Sequence, residues 1–293
     1  MLKRSDIQIR DPFILPILKN SFYYIYGTTD QNCWGDHATG FDCYQSKNLE
    51  LWEGPFPCFR PSTDFWADRH FWAPEVYEYN GGFYMFASFK SPTHCRGTQV
   101  LRADKPEGPF VPHSDGSITP HDWECLDGTL YLSPDGTPWI VFCREWCQVG
   151  DGEMWAMKLT PDLASPAEKP ILLFHASDAP WVQGTEQELD GKKQTIYVTD
   201  GPFLYTTKDG TLLMLWSSGS KDGYAIGIAR SDKIDGAWTH DKTPLFSKNG
   251  GHGMIFRTFD GTLYLSLHSP NNTPMERPCF YELEEENGTL VIR

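Results

Sequence analysis

The sequence predicts an all-β protein, a single five-bladed β-propeller over residues 1–293. Three observations predict it. Long amphipathic helical stretches are scarce, while short runs rich in Tyr, Phe, Trp, Val and Ile recur between Gly, Pro, Asn and Asp clusters. Five of these runs are alike: 23–27 (YYIYG), 83–87 (FYMFA), 139–143 (WIVFC), 212–216 (LLMLW) and 263–267 (LYLSL). Their starts lie 60, 56, 73 and 51 residues apart, and repeats of this size with about four strands each suit sheets arranged around an axis.

Each element of the repeat has its own signal. Asn80-Gly81-Gly82, Asp135-Gly136, Asp209-Gly210 and Asp260-Gly261 precede four of the runs. These residue types accept the backbone angles of tight turns, so each run reads as the second strand of a hairpin. A third element follows in Ser46 to Gly54, Arg102 to Gly108 and Arg230 to Gly236, with a looser version in Lys158 to Leu163. It reads as the connection to an outer strand. The longest interval implies an insertion around Ala164 to Gln194. A β-sandwich is the competing architecture, but a sandwich does not require this internal register.

Composition narrows the partners. Lys and Arg total 25 against 39 Asp and Glu, giving 25 − 39 = −14, a charge that repels nucleic acid and anionic membrane surfaces. No apolar run approaches the ~18 residues of a membrane span. Met1 to Arg10 is charged and lacks the apolar stretch of a secretory signal, so a cytoplasmic protein is expected. The 8 cysteines are irregularly spaced and read as reduced thiols. Aromatic residues make up 14 %, including 11 Trp, and their flat faces with polar edges suit sugar-like ligands.

Counting back from the second strand of each repeat, Asp11, Asp127 and Asp200 each lie 12 residues before it, and His252 lies 11 before. In a propeller these positions start the innermost strands, so the four side chains should meet at one end of the axis. Ten Asp-Gly pairs occur in the chain, most of them plain turns. For Asp127-Gly128 and Asp200-Gly201, the shared register and a separate turn further on favour a site. His252 reads equally as a buried structural histidine or a metal-organising one. Clustered carboxylates raise one another's pKa, so one can act as an acid while another stays an ionised base, the equipment of glycoside hydrolysis.

Five motifs, in order and at blade spacing, resemble glycoside hydrolase family 43: 10–14 (RDPFI), 71–75 (FWAPE), Leu126-Asp127, 200–204 (DGPFL) and Gly251-His252-Gly253. The resemblance implies an inverting mechanism with Asp11 as general base, Asp127 orienting the acid and tuning its pKa, and Asp200 as general acid. Where the family usually has Glu-Gly-Pro this chain has Asp200-Gly201-Pro202, a side chain shorter by about 1.5 Å, so Glu186 and Glu188 are substitute acids to test. The resemblance also implies a calcium ion or water on the axis near His252. No oxygen-rich calcium loop is present in the sequence.

Substrate contacts are expected from Phe71 and Trp72 as a wall of the sugar pocket, with His70, Trp66 and Trp34 extending it. Glu75 reads as a group supporting the site or as a solvated strand residue. Arg144 and Arg277 could contact sugar hydroxyls, against surface salt bridges as the alternative. The function expected is an exo-acting glycosidase that removes a terminal α-L-arabinofuranose or β-D-xylose from short oligosaccharides. The rivals are a non-catalytic sugar-binding or scaffold propeller and another five-bladed glycosidase or phosphorylase.

Overall fold

A computed structural model describes residues 1–35, 37–189 and 191–293. Five antiparallel sheets follow one another along the chain as blades. Blade I holds Arg10–Ile17, Phe22–Thr28, Phe41–Ser46 and Leu51–Phe59, with Leu2–Lys3 added at its outer edge. Blade II holds Arg69–Tyr79, Gly82–Ser91, His94–Ala103 and Val111–Ser117; blade III holds Cys125–Leu132, Pro138–Arg144, Glu153–Lys158 and Ile171–His175. Blade IV holds Asp200–Thr206, Leu212–Ser220, Gly223–Ser231 and Thr239–His240, and blade V holds Gly251–Arg257, Leu263–Ser269, Arg277–Glu286 and Thr289–Ile292. The five-bladed propeller is therefore as expected, and the recurring apolar runs are the second strands.

The first turns of blades III, IV and V share one chemistry. In 133–137, 207–211 and 258–262 a Ser or Thr hydroxyl and a Thr backbone N–H both donate to the Asp that precedes the turn Gly. The carboxylate substitutes for a missing backbone acceptor and closes the hairpin. Asp127-Gly128 and Asp200-Gly201 behave differently, because each lies in a β-bulge within a first strand.

That bulge recurs at one register in all five blades. The residue before it pairs with the second strand as Arg10 with Thr28, Trp72 with Ser88, Leu126 with Cys143, Asp200 with Ser217 and Gly251 with His268. The next residue takes a left-handed backbone: Asp11 (φ 54°), Ala73 (47°), Asp127 (56°), Gly201 (50°) and His252 (52°). Such a conformation is costly for a residue with a Cβ and turns the side chain out of the pleat. The register corrects one reading and supplies the blade II equivalent. Asp200 stands one position before the equivalents of Asp11 and Asp127, and the blade II equivalent of those acids is Ala73, with Trp72 matching Asp200. The apolar run of blade IV starts one residue further from its bulge partner (Leu212 to Ser217) than that of blade III (Trp139 to Cys143), which hid the offset from a count along the chain.

Aromatic packing between blades accounts for much of the aromatic surplus. One cluster between blades I and II contains Phe41, Phe59, Phe71 and Phe89, each no more than 1 % exposed. Phe71 lies 4.9 Å from Phe89 and 6.1 Å from Phe41 by ring centroids, so it is a core residue and not a wall of the sugar pocket. Burying such a ring stabilises the fold by about 1.5–3 kcal/mol, reason enough for its presence. All eight cysteines are free thiols.

The insertion is narrower than expected. Ile171–His175 is the outer strand of blade III, and the added element is a hairpin of Thr185–Leu189 with Lys192–Ile196 between blades III and IV. The ring closes between blades V and I without a shared strand among the described residues. Arg277 belongs to this seam: its Nε donates to the Ser5 carbonyl at 2.9 Å and its Nη1 to Pro274 and Glu276 carbonyls. Three carbonyl acceptors occupy its fork, so the expected contact with sugar is corrected to a closure of the ring.

Candidate active site

The bulges deliver the acids to one end of the axis, where a cavity of about 810 Å³ is lined by Asp11, Asp127, Asp200 and His252, among others. The ring is tied together there by backbone donors. The bulge N–H of each blade bonds a side chain of the preceding one: Ala73 to Thr28 Oγ1 (2.8 Å), Asp127 to Ser88 Oγ (2.9 Å), Gly201 to Asp127 Oδ2 (2.9 Å), His252 to Ser217 Oγ (2.8 Å) and Asp11 to His268 Nδ1 (3.1 Å).

His252 Nδ1 lies 3.2 Å from Asp11 Oδ1 and 3.5 Å from Asp127 Oδ2. Asp11 Oδ2 accepts from the Thr28 hydroxyl at 2.7 Å, and Asp200 Oδ2 accepts from the Tyr224 hydroxyl at 2.9 Å. His268 Nδ1 accepts the Asp11 N–H, which requires the neutral ring, and burial pushes that histidine down to about 4.

The three carboxyls are driven apart. Burial pushes Asp11 up, but His252, Arg10 and the Thr28 hydroxyl outweigh it and hold the group below its ordinary value. Burial and the negative charge of Asp11 push Asp127 well up against the Gly201 N–H. Burial and Asp127 push Asp200 up to about 7, although Tyr224 and His252 oppose the shift. Burial and the neighbouring Asp127 thus leave Asp200 still partly protonated near neutrality. Glu75 is deeper, buried and raised to about 7 by desolvation; its Oε2 accepts from Tyr77, whose oxygen lies 2.8 Å from Thr129 Oγ1. Glu75 does not line the cavity, so it is not a substrate contact; of its two readings the buried one, a group supporting the site, is what the structure has.

Trp72 lines the cavity, its Nε1 donating to the Cys33 carbonyl at 2.6 Å. His70 stacks on Trp72 at 4.6 Å and bonds Arg96, so it backs the tryptophan and is not among the lining residues. Trp34 lines the cavity and bridges blades I and V through Nε1 to Thr273 Oγ1 at 3.0 Å, with the Arg10 guanidinium 4.9 Å from its ring. Trp66 lies elsewhere, in a second cavity. Arg144 is engaged with Gln148 and Glu153 and lies over Trp123, the structural alternative for that residue. Glu186 and Glu188 are on the exposed hairpin outside the cavity, where Glu186 accepts from Thr195, so they are not substitute acids.

Sequence reading missed Glu145, Trp146, Tyr224 and Asn271 to Thr273, all of which line the cavity. Each lies in or beside the connection between the second and third strands of its blade. Those connections share the face of the bulges, so strand order could have pointed to them. Among the described residues no three His, Cys, Asp or Glu side chains are grouped to hold a metal. The Nδ1 of His252 is turned to two carboxylates, and calcium prefers oxygen donors, so the residues present do not fit a calcium ion ligated by His252.

A propeller with three axial carboxyls of divided pKa has the equipment of a glycoside hydrolase. The chain belongs to glycosyl hydrolases family 43, whose family model matches residues 6–286. It is 24 % identical, over 90 % of its length and 80 % of the relative's, to an extracellular exo-α-(1→5)-L-arabinofuranosidase of Cellvibrio japonicus. A xylosidase/arabinosidase of Bacteroides ovatus is 33 % identical over 69 % of this chain and 65 % of its own. The crystal structure of an endo-arabinase from Bacteroides thetaiotaomicron is 40 % identical, superposes with a TM-score of 0.91 and is covered over 99 % of both chains.

Proposed function

We propose that this glycosidase hydrolyses α-1,5-linked L-arabinofuranosyl residues with inversion, removing terminal units from short oligosaccharides. The observation that carries the mechanism is the division of charge between Asp11, held low, and Asp200, raised to about 7, in one cavity. Water attacks the anomeric carbon and yields its proton to Asp11. The glycosidic C–O bond breaks as Asp200 protonates the leaving oxygen, and the attack from the opposite face inverts the configuration. Asp127, bonded to the Gly201 N–H next to Asp200, orients the acid and keeps its pKa high.

The linkage is drawn from the relatives named for arabinofuranosidase and arabinanase activity, with terminal β-D-xylose as the second sugar to test. Support for terminal attack comes from Trp34, which bonds Thr273 and meets Trp72 at 5.2 Å to wall the cavity across blades I, II and V. The likeness to an endo-arabinase favours internal cleavage as the second reading.

Products from linear arabinan decide between them: arabinose alone supports terminal attack, and a ladder of oligomers overturns it. Asp11→Asn should lower kcat about 10²–10⁴-fold on every substrate with folding intact, and Asp200→Asn should spare nitrophenyl arabinofuranoside relative to natural linkages. Full activity in Asp11→Asn, or equal losses on both substrate types in Asp200→Asn, would remove the assigned roles.

A further inference from the structure

The connections on the catalytic face are shortest in blades II and IV. Second and third strands are joined by residues 29–40 in blade I, 145–152 in blade III and 270–276 in blade V, but by Lys221 and Asp222 alone in blade IV and by Pro92 and Thr93 alone in blade II. Beside that short connection is a second cavity of about 530 Å³. Its walls come from the chain entering blade II (Ser62, Asp64, Phe65, Trp66), the start of the third strand (His94 to Arg96) and the end of the blade (Asp115 to Ser117 and His121). Trp72 pairs with Ser88 and Ser88 with Thr98, so the start of the third strand is level with the bulge and this cavity shares the catalytic face.

Trp66 is half-buried and held in one orientation. Its Nε1 donates to Gln99 Oε1 at 2.7 Å, and the Gln99 amide donates to the Ser114 carbonyl at 3.1 Å. Its ring meets Phe89 and His94 at steep angles, 6.4 and 5.7 Å between centroids. Around the indole stand Asp64, Asp115, Ser117 and His121, which offer acceptors and donors. A fixed apolar plane bordered by short polar groups matches a sugar ring, whose C–H face stacks and whose hydroxyls take the hydrogen bonds. The net charge of −14 disfavours an anionic ligand. Arg96 stands between the two cavities: it lines this one, pairs with Glu145 and lies 4.2 Å over Trp72, both of which line the other.

We propose that the Trp66 cavity is a second binding site for a neutral pentose oligosaccharide, separate from the catalytic cavity. This rests on the substrate class proposed above. Titration calorimetry of the Asp11→Asn protein with arabinohexaose, and in parallel with xylohexaose, should give two equivalents bound per chain. Adding Trp66→Ala should leave one equivalent. Binding of one equivalent to the Asp11→Asn protein, or two equivalents to folded Trp66→Ala protein, would overturn the proposal.

Should Trp66→Ala fail to fold, the exposed-side variants Asp64→Ala and His121→Ala carry the test. Together they should weaken one of the two sites about tenfold, the scale of a moderate anchor loss, and unchanged affinities would overturn it. Two equivalents with Trp66 dependence in a chain that hydrolyses neither arabinan nor xylan would uphold this site and sink the catalytic reading. One equivalent in an active hydrolase would do the reverse.

Discussion

The backbone N–H of Gly201 donates to Asp127 Oδ2 at 2.9 Å. In the other four blades the equivalent donor is met by Thr28, Ser88, Ser217 or His268. Blade III has Cys143 at that register, a poor acceptor, and Asp127 takes its place. Asp127 is thereby part of the scaffold that holds the head of blade IV, in addition to the tuning role proposed for it.

Replacing Asp127 should therefore separate two effects. Asp127→Asn keeps an oxygen for Gly201, whereas Asp127→Ala leaves a buried N–H unpaired at a cost of about 1–3 kcal/mol. Urea unfolding should find the Ala variant less stable than the Asn variant by that amount. Equal midpoints would deny Asp127 its structural role.

The pH dependence of kcat/KM should fall on the basic side near 7, where Asp200 loses its proton. The Tyr224 hydroxyl favours the ionised form of Asp200, so Tyr224→Phe should move that limb upward. A limb that stays in place, or moves down, would show that another group sets it.

Glu75 has a folded pKa of about 7 against an ordinary 4.5. The folded state holds this proton longer than the unfolded state, so its contribution is fully present below about 4.5 and is lost as pH rises through about 7. Glu75→Gln should flatten the pH dependence of stability by something on the order of 3 kcal/mol between pH 4.5 and 8. Denaturation midpoints at the two pH values measure it; an unchanged slope would mean that Glu75 ionises freely.

Arg277→Ala should weaken the seam between blades V and I and leave substrate binding alone, because its donors go to the Ser5, Pro274 and Glu276 carbonyls. Loss of these hydrogen bonds from a partly exposed side chain should cost about 1 kcal/mol or somewhat more. A raised KM with unchanged melting temperature would restore the sugar-contact reading.

Part of this was legible along the chain. The five apolar runs and their Asp-Gly turns declare their periods locally, since hairpin geometry depends on neighbouring residues. Asp11, Asp127 and Asp200 were found from that period, even though it misplaced Asp200 by one position. Phe71 was misread because an aromatic beside a motif has the same letter whether it faces sugar or a neighbouring blade. Arg277 was misread for a similar reason: its acceptors are carbonyls, one of them on Ser5 at the far end of the chain, which no motif records.

By itself the sequence determined the number of blades and the three carboxyls at the head of their strands, because these follow from short-range spacing and residue type, and its motifs resembled the family. Only the tertiary structure decided how charge divides among those carboxyls. Their pKa values come from mutual repulsion, burial and the reach of His252 and Tyr224, all of which exist only once blades I, III, IV and V face a common axis.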